Sequence, residues 1–156
     1  MILPDKSLSW PIVWDGVMLI AQSEDLRLEA YQDIAGVLTI GWGETQGVSP
    51  GLKWTQGHAD EVFCRRLTEF AYQVKALLKI KTSPRQFAAL VSLAYNVGVS
   101  AFAGSSVLRH HNNGDFDAAA AAFKKWNKAR IDGRLQPIAG LTGRREREAD
   151  LYREGY

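Results

Sequence analysis

The sequence predicts an α+β fold: a small N-terminal lobe with a minor antiparallel sheet, a long connecting helix and a helical C-terminal lobe. Three observations predict it. Between Val37 and Trp42 apolar residues alternate, and Gly36, Gly41, Gly43 and Gly47 punctuate that stretch, as in short strands joined by turns. From His58 to about Ile80 the apolar positions recur at three- and four-residue steps, which is roughly six turns of helix. The chain has 156 residues, 46% hydrophobic and 23% charged, enough to bury a core without staples and short enough for one domain. The expected organisation is a single domain over residues 1–156. Its lobes lie at about 14–57 and 81–156, joined by the helix at about 58–80.

Residues 1 to about 12 read as an extended lead-in, because Pro4 and Pro11 block helix. Val17, Met18, Ile20 and Ala21 fit a short helix from Trp14 to Glu24. A carboxylate at a helix C-terminus opposes the helix dipole, so Glu24 asks for a reason beyond local stability. A hairpin or three-stranded sheet follows over Tyr31 to Thr45, and Pro50-Gly51 makes a turn. Thr55 is placed to cap the long helix. Ser83-Pro84-Arg85-Gln86 is a helix start with a capping box, and Gly98 is its stop. Short helices are expected from Ser105 to His111 and from Asp115 to Trp126. Residues 127–140 read as a loop, and Thr142 as the cap of a last helix ending near Glu154.

Composition narrows the function. Cys64 is the only cysteine, so neither an intrachain disulfide nor a cysteine metal cluster is available. His58, His110 and His111 lack ligand-like spacing, and no metal site is expected. No apolar run approaches the length of a membrane span, and no signal-peptide pattern is visible, so a cytoplasmic location before any release is the expectation. Formal charge is +2, but its distribution is uneven. Lys124, Lys125, Lys128, Arg130, Arg134, Arg144, Arg145 and Arg147 face only Asp132 and Glu146 in the same stretch, whereas the region around Glu24 is acidic. A basic lobe beside an acidic site suits an anionic polymer that is held and then cut.

Glu24 at a helix end, Asp33 in a turn and Thr39 in a strand can converge on one wall of a cleft. Two carboxyls in different surroundings can divide the work of an acid and an ionised partner, which glycoside hydrolysis requires. Spacing alone does not single this out: Glu24 could equally pair with an arginine, and Asp33 could cap a turn.

The segments Glu24-Asp25-Leu26-Arg27-Leu28, Ala30-Tyr31-Gln32-Asp33 and Gly36-Val37-Leu38-Thr39-Ile40-Gly41-Trp42-Gly43-Glu44-Thr45 closely resemble the phage lysozyme (endolysin) family. That family reads E-G-x-R-L-x-x-Y-x-D, then G-x-x-T-I-G-x-G-H-T. The resemblance continues through Gln86–Gly98, Asn113–Phe116, Lys125–Lys128 and Gly140-Leu141 with Arg144-Arg145, and covers about residues 14–152. It implies a lysozyme-like fold and muramidase activity on bacterial peptidoglycan, with no cofactor. Carried over by position, Glu24 is the general acid, Asp33 the second carboxylate and Thr39 the water-positioning hydroxyl. Arg144, or Arg145 if the alignment slips by one, supports Glu24. Tyr95 and Asn96 resemble cleft-wall residues and Ser105 a sugar contact, while Trp126 reads as core packing. Motif order favours inversion at the anomeric carbon. The resemblance further implies a monomer, no stable membrane insertion, and release to the wall through a holin pore.

Two positions depart from the family pattern. Asp25 replaces Gly, and Asp tolerates a positive φ better than most residues. Glu44 replaces His, so an ion pair made through that His is lost or reversed, and Glu44 becomes a candidate third acid of the cleft. Two other readings compete. A lytic transglycosylase would cleave the same bond without water, although Asp33 and Thr39 speak against it. A non-catalytic wall-binding or nucleic-acid-binding module would use the basic C-terminal third; nucleic acid is not the expected partner.

Overall fold

The computed structural model describes residues 1–156 and begins its first helix, α1, at Trp14, ending it at Glu24. Helix α1 buries Gly16, Val17, Leu19, Ile20 and Ala21. Gly16 sits so close to Ala88 that a Cβ there would meet the alanine Cβ at 2.7 Å. The α1 face therefore packs tightly on α3 (Pro84–Val97) and also touches α7 (Ala139–Arg153). By packing, α1 lies against the helical body. Asp25 ends α1 at φ 57° and ψ 144°, a positive-φ conformation outside the left-handed helical well that favours glycine and is sparsely populated by other residues.

Strands β1 (Arg27–Gln32) and β2 (Leu38–Gly41) pair antiparallel, with Tyr31 opposite Thr39 and Gln32 opposite Leu38. A third segment is held more loosely. Ala30 N–H donates to Leu52 O at 2.9 Å, and Trp54 N–H to Leu28 O at 2.9 Å. The sheet is thus a hairpin with a bridged edge, between the two forms the sequence allowed.

Helix α2 (Gln56–Leu77) is capped by Thr55, whose hydroxyl oxygen accepts from His58 N–H at 3.2 Å. Twenty-two residues span about 33 Å. The helix stops three residues before Ile80 because Asn112 closes its end: its Nδ2 donates to Leu77 O, and its Oδ1 accepts from Lys79 N–H. That cap comes from a distant helix and has no local sequence signal.

Helix α3 starts with both hydrogen bonds of the capping box between Ser83 and Gln86, and stops at Gly98, φ 93°. Ala88, Ala89, Leu90, Val91, Leu93 and Ala94 are wholly buried, making α3 the central rod of the core. Helices α4 (Val99–Ala103), α5 (Ser106–Asn112) and α6 (Phe116–Ala122) follow, with a single-turn tight helix over Phe123–Trp126. Ser105 and Asp115 cap α5 and α6. No helix is long and apolar enough to cross a membrane.

The stretch expected to be a loop contains a second hairpin, β3 (Lys128–Ile131) and β4 (Arg134–Pro137), with Ile131 opposite Arg134. Its turn is Asp132-Gly133, with φ of 50° and 77°. Two consecutive positive-φ residues are what a two-residue hairpin needs, and Asp-Gly is a favoured pair for it. Thr142 does not cap the last helix. Helix α7 starts three residues earlier at Ala139, and the Thr142 hydroxyl accepts from Asn127 Nδ2 at 3.1 Å, tying the helix to the start of the hairpin.

His111 is fully buried between Thr82 Oγ1, 2.7 Å from Nε2, and Tyr152 Oη, 2.6 Å from Nδ1. Burial pushes its pKa down, because the folded protein disfavours the imidazolium. Below the unfolded-state value of about 6.5 the unfolded chain binds a proton that the folded chain resists. Stability should therefore be level above that pH and fall as pH drops towards 5, by at most about 1.4 kcal/mol per pH unit from this group. Urea unfolding of wild type and His111→Gln across this window checks it. The wild type is expected to carry a slope that the variant lacks, and equal slopes would contradict the assignment.

Candidate active site

A groove of about 730 Å³ opens between the sheet lobe and the helical body. Glu24 and Asp33 line it, together with Ile34, Ala35, Asn96, Trp126, Lys128, Leu141, Arg144 and Arg147. Glu24 arrives on the last residue of α1, where the reversal at Asp25 turns the chain away into β1. Its carboxyl is held from two sides. Arg144 Nη1 lies 2.5 Å from Glu24 Oε1. On the other side stands Gly43, φ 89°, and a Cβ at that position would come within 2.8 Å of the Glu24 carboxyl carbon. A side chain at 43 would displace the acid, so this glycine is required for close approach as well as for its backbone conformation.

Arg144 is almost fully buried and serves several partners. Its Nε donates to Glu148 Oε2 at 3.2 Å and its Nη2 to Ser92 O at 3.2 Å. Burial works against the Arg144 charge, but Glu24 and then Glu148 outweigh it and hold the guanidinium above its ordinary pKa. Arg145 points instead beneath the site, where its Nη2 donates to Glu148 Oε2 and its Nη1 to Trp126 O. Arg145 Nε lies 2.6 Å from Glu148 Oε1, yet neither atom has a well-aligned hydrogen-bond partner, so that contact is ionic. Burial pulls Arg145 down to about 10, which leaves it charged at neutral pH. Of the two arginines the sequence offered, Arg144 is the one that reaches Glu24.

Asp33 caps its turn and faces the groove at once. Its Oδ1 accepts from Ala35 N–H at 2.9 Å and Val37 N–H at 2.8 Å, leaving Oδ2 outside this turn. Thr39 is buried in β2 and does not line the groove. Its hydroxyl donates to Val37 O, the same carbonyl that accepts from Asp33 N–H, so the two residues share one anchor.

The other expected residues divide. Asn96 is exposed in the groove. Tyr95 sits behind the wall and donates its phenol to Trp42 O at 2.9 Å. Burial pushes that phenol far up, and the charges of Glu24 and Glu44 add to the shift, so it remains a donor. Glu44 is not among the groove-lining groups. It pairs with Arg66 of α2 at 3.1 Å, which is an ion pair with the acid on the sheet side. Ser105 lies away from the groove, its hydroxyl spent on Phe102 O and Leu108 N–H as the cap of α5. Trp126 both lines the groove and packs on the core.

Sequence reading missed the roles of Gly43, Lys128 and Arg147. The two cations line the groove, and Arg147 Nη2 donates to Ser23 Oγ at 3.1 Å. The Asp-Gly pair between alternating residues was the available signal for the hairpin that carries Lys128.

This arrangement has relatives. Residues 21–148 match the family model of phage lysozyme. The endolysin of Salmonella phage P22 is 36% identical over 143 residues, covering 88% of this chain and 94% of that protein. The endolysin of Acyrthosiphon pisum secondary endosymbiont phage 1 is likewise 36% identical, over 137 residues, with the same two coverages. Among solved structures, the endolysin of Escherichia coli O157:H7 phage FAHEc1 superposes with a TM-score of 0.84 at 34% identity, covering 94% of each chain. The muramidase domain of SpmX from Asticaccaulis excentricus gives 0.83 at 35% identity, covering 92% of this chain and 98% of that one. The chain belongs to the phage lysozyme family, and is a lysozyme-type glycoside hydrolase of the endolysin kind.

Proposed function

We propose that the chain hydrolyses the β-1,4 bond between N-acetylmuramic acid and N-acetylglucosamine in peptidoglycan. The observation that carries this is the presence of Glu24 and Asp33 in one groove, in different settings. Glu24 is oriented by a buried guanidinium on one oxygen, which leaves the other oxygen to carry a proton to the glycosidic oxygen. Glu148 sits between Arg144 and Arg145 and fixes the orientation of the Arg144 guanidinium that meets Glu24. Asp33 has one oxygen fixed by backbone donors and one outside the turn to take the proton of an attacking water. Thr39 supports Asp33 from behind the groove wall, because its hydroxyl donates to Val37 O, the carbonyl that also accepts from Asp33 N–H. Water then adds at the anomeric carbon as the glycosidic bond breaks, and the two carboxyls exchange protonation states. The reaction runs on side chains and water, within one protomer. Asn96, Lys128 and Arg147 supply the substrate contacts along the groove.

The products test this. Digestion of purified peptidoglycan in ¹⁸O-labelled water should place one heavy oxygen at each new reducing end. An unlabelled anhydro end, lighter by one water, would mark a lytic transglycosylase instead. The anomer first formed, read by proton NMR, is expected to be inverted. The protein acts on the wall after release from the cytoplasm, for which we propose a holin-dependent route; the name SAR-endolysin, borne by two relatives from bacteriophages PS119 and PS34, points to the holin-independent alternative.

A further inference from the structure

Asp60 is a buried acid that the reaction does not use. It stands in the second turn of α2, is 3% exposed, and forms no ion pair. Two neutral donors satisfy it: the Trp42 indole, Nε1 to Oδ1 at 2.7 Å, and the Asp5 backbone, N to Oδ2 at 3.1 Å. A buried carboxyl without a counter-charge is costly to keep, whereas a hydrogen bond to a charged acceptor is stronger and more directional than one to a neutral acceptor.

The N-terminal segment supplies the lid over this carboxyl. Gln56 Nε2 donates to Leu3 O, Asp60 accepts from Asp5 N–H, and Cys64 Sγ approaches Ser9 O at 3.3 Å. Positions 56, 60 and 64 form one face of α2, so the segment runs along that face as a strap. Trp10 ends it by packing edge-on against Phe63, ring centres 5.1 Å apart.

The other side of Asp60 leads to the catalytic acid. Trp42 is 3% exposed, bonded by its indole to Asp60 and by its carbonyl to Tyr95 of α3. The next residue is Gly43, against which the Glu24 carboxyl rests. The turn that backs Glu24 is therefore pinned at Trp42 by two helices, α2 through Asp60 and α3 through Tyr95.

We propose that Asp60, sealed under the N-terminal strap, is a positioning residue for Glu24, acting through Trp42 and the Gly43 turn. This rests on Glu24 being the general acid. If the pin is lost, substrate still finds the groove but the acid loses its backing, so the turnover number falls and the Michaelis constant holds.

The test uses the full chain on soluble uncross-linked peptidoglycan strands, with Asp60→Ala, Trp42→Phe, their double variant and Asp60→Asn. Each single truncation should lower kcat about tenfold with KM within about twofold, in keeping with the sensitivity of catalysis to small misplacements. The double variant should lose no more than either single one, because both cut the same link. Asp60→Asn should recover kcat to within about threefold of wild type, since its amide oxygen still accepts from the indole. Folded Asp60→Ala with wild-type kcat would overturn the proposal, as would losses that multiply in the double variant. If Asp60→Ala does not fold, Trp42→Phe decides alone: an unchanged kcat overturns the role, and a reduced kcat with steady KM supports it. Glu24→Gln is the control. An inactive control beside an unaffected Asp60→Ala overturns the positioning role only, whereas an active control removes the acid on which it rests.

Discussion

Glu24→Gln is expected to reduce wall hydrolysis by about 10²–10⁴-fold, the range a positioned general acid contributes. Glutamine keeps the length and shape of the side chain, so the contact with Gly43 and the hydrogen bond from Arg144 have the same geometry to fill. It differs in having no acidic proton to give to the leaving oxygen. The fold should survive, because the side chain is partly exposed at the groove and Arg144 keeps its bonds to Glu148 and Ser92 O. Clearing of a peptidoglycan suspension, measured beside circular-dichroism melting, separates the two effects. A cooperative melt with activity lost supports the acid role. A folded variant within about a tenth of the wild-type rate would remove Glu24 from the chemistry.

The second large effect is on stability. Glu148 is wholly buried, with Arg144 and Arg145 beside it and the Ser92 hydroxyl donating to its Oε2 at 2.5 Å. Replacing it by Ala leaves two buried guanidiniums side by side, of which only Arg144 reaches another carboxylate, that of Glu24. Removal of one partner from a buried ionic cluster costs about 3–5 kcal/mol, because the remaining charge stays desolvated. A domain of this kind holds only about 5–15 kcal/mol in total. Glu148→Ala should therefore lower the urea midpoint strongly, and the folded fraction should be impaired in hydrolysis because Arg144 loses the bond that aims it. A stability change below about 1 kcal/mol would show that water or rearrangement replaces the carboxylate, contrary to this account.

Much of the local structure was legible because its causes are local. The cap of α2 at Thr55, the capping box at Ser83 and the stop at Gly98 each depend on a few neighbouring residues, and the structure places them where those residues stand. The hairpin at Asp132-Gly133 was equally local, but Pro137 and nearby glycines made the stretch read as a loop. Helix α2 ends early for a reason no window of sequence contains, since its cap is Asn112.

The candidate site follows the same division. Residue order around Glu24, Asp33 and Thr39 pointed to the family, and a positive φ could be anticipated at Asp25. Yet Arg144 and Arg145 are neighbours in sequence, and which one meets Glu24 depends on how α7 is rotated against α1 and α3. Glu44 looked free to serve as a cleft acid until α2 brought Arg66 beside it. Ser105 looked available until the start of α5 consumed its hydroxyl.

The chain's own order of residues was enough to define its class, its helix boundaries where caps are local, and the side chains chemically able to cleave a sugar bond. Their partners, their exposure and the groove itself came from packing, because a hydrogen bond or ion pair depends on distances of a few ångströms between segments far apart along the chain. Those distances are set when one face of each helix is buried against another, which periodicity can announce but cannot orient.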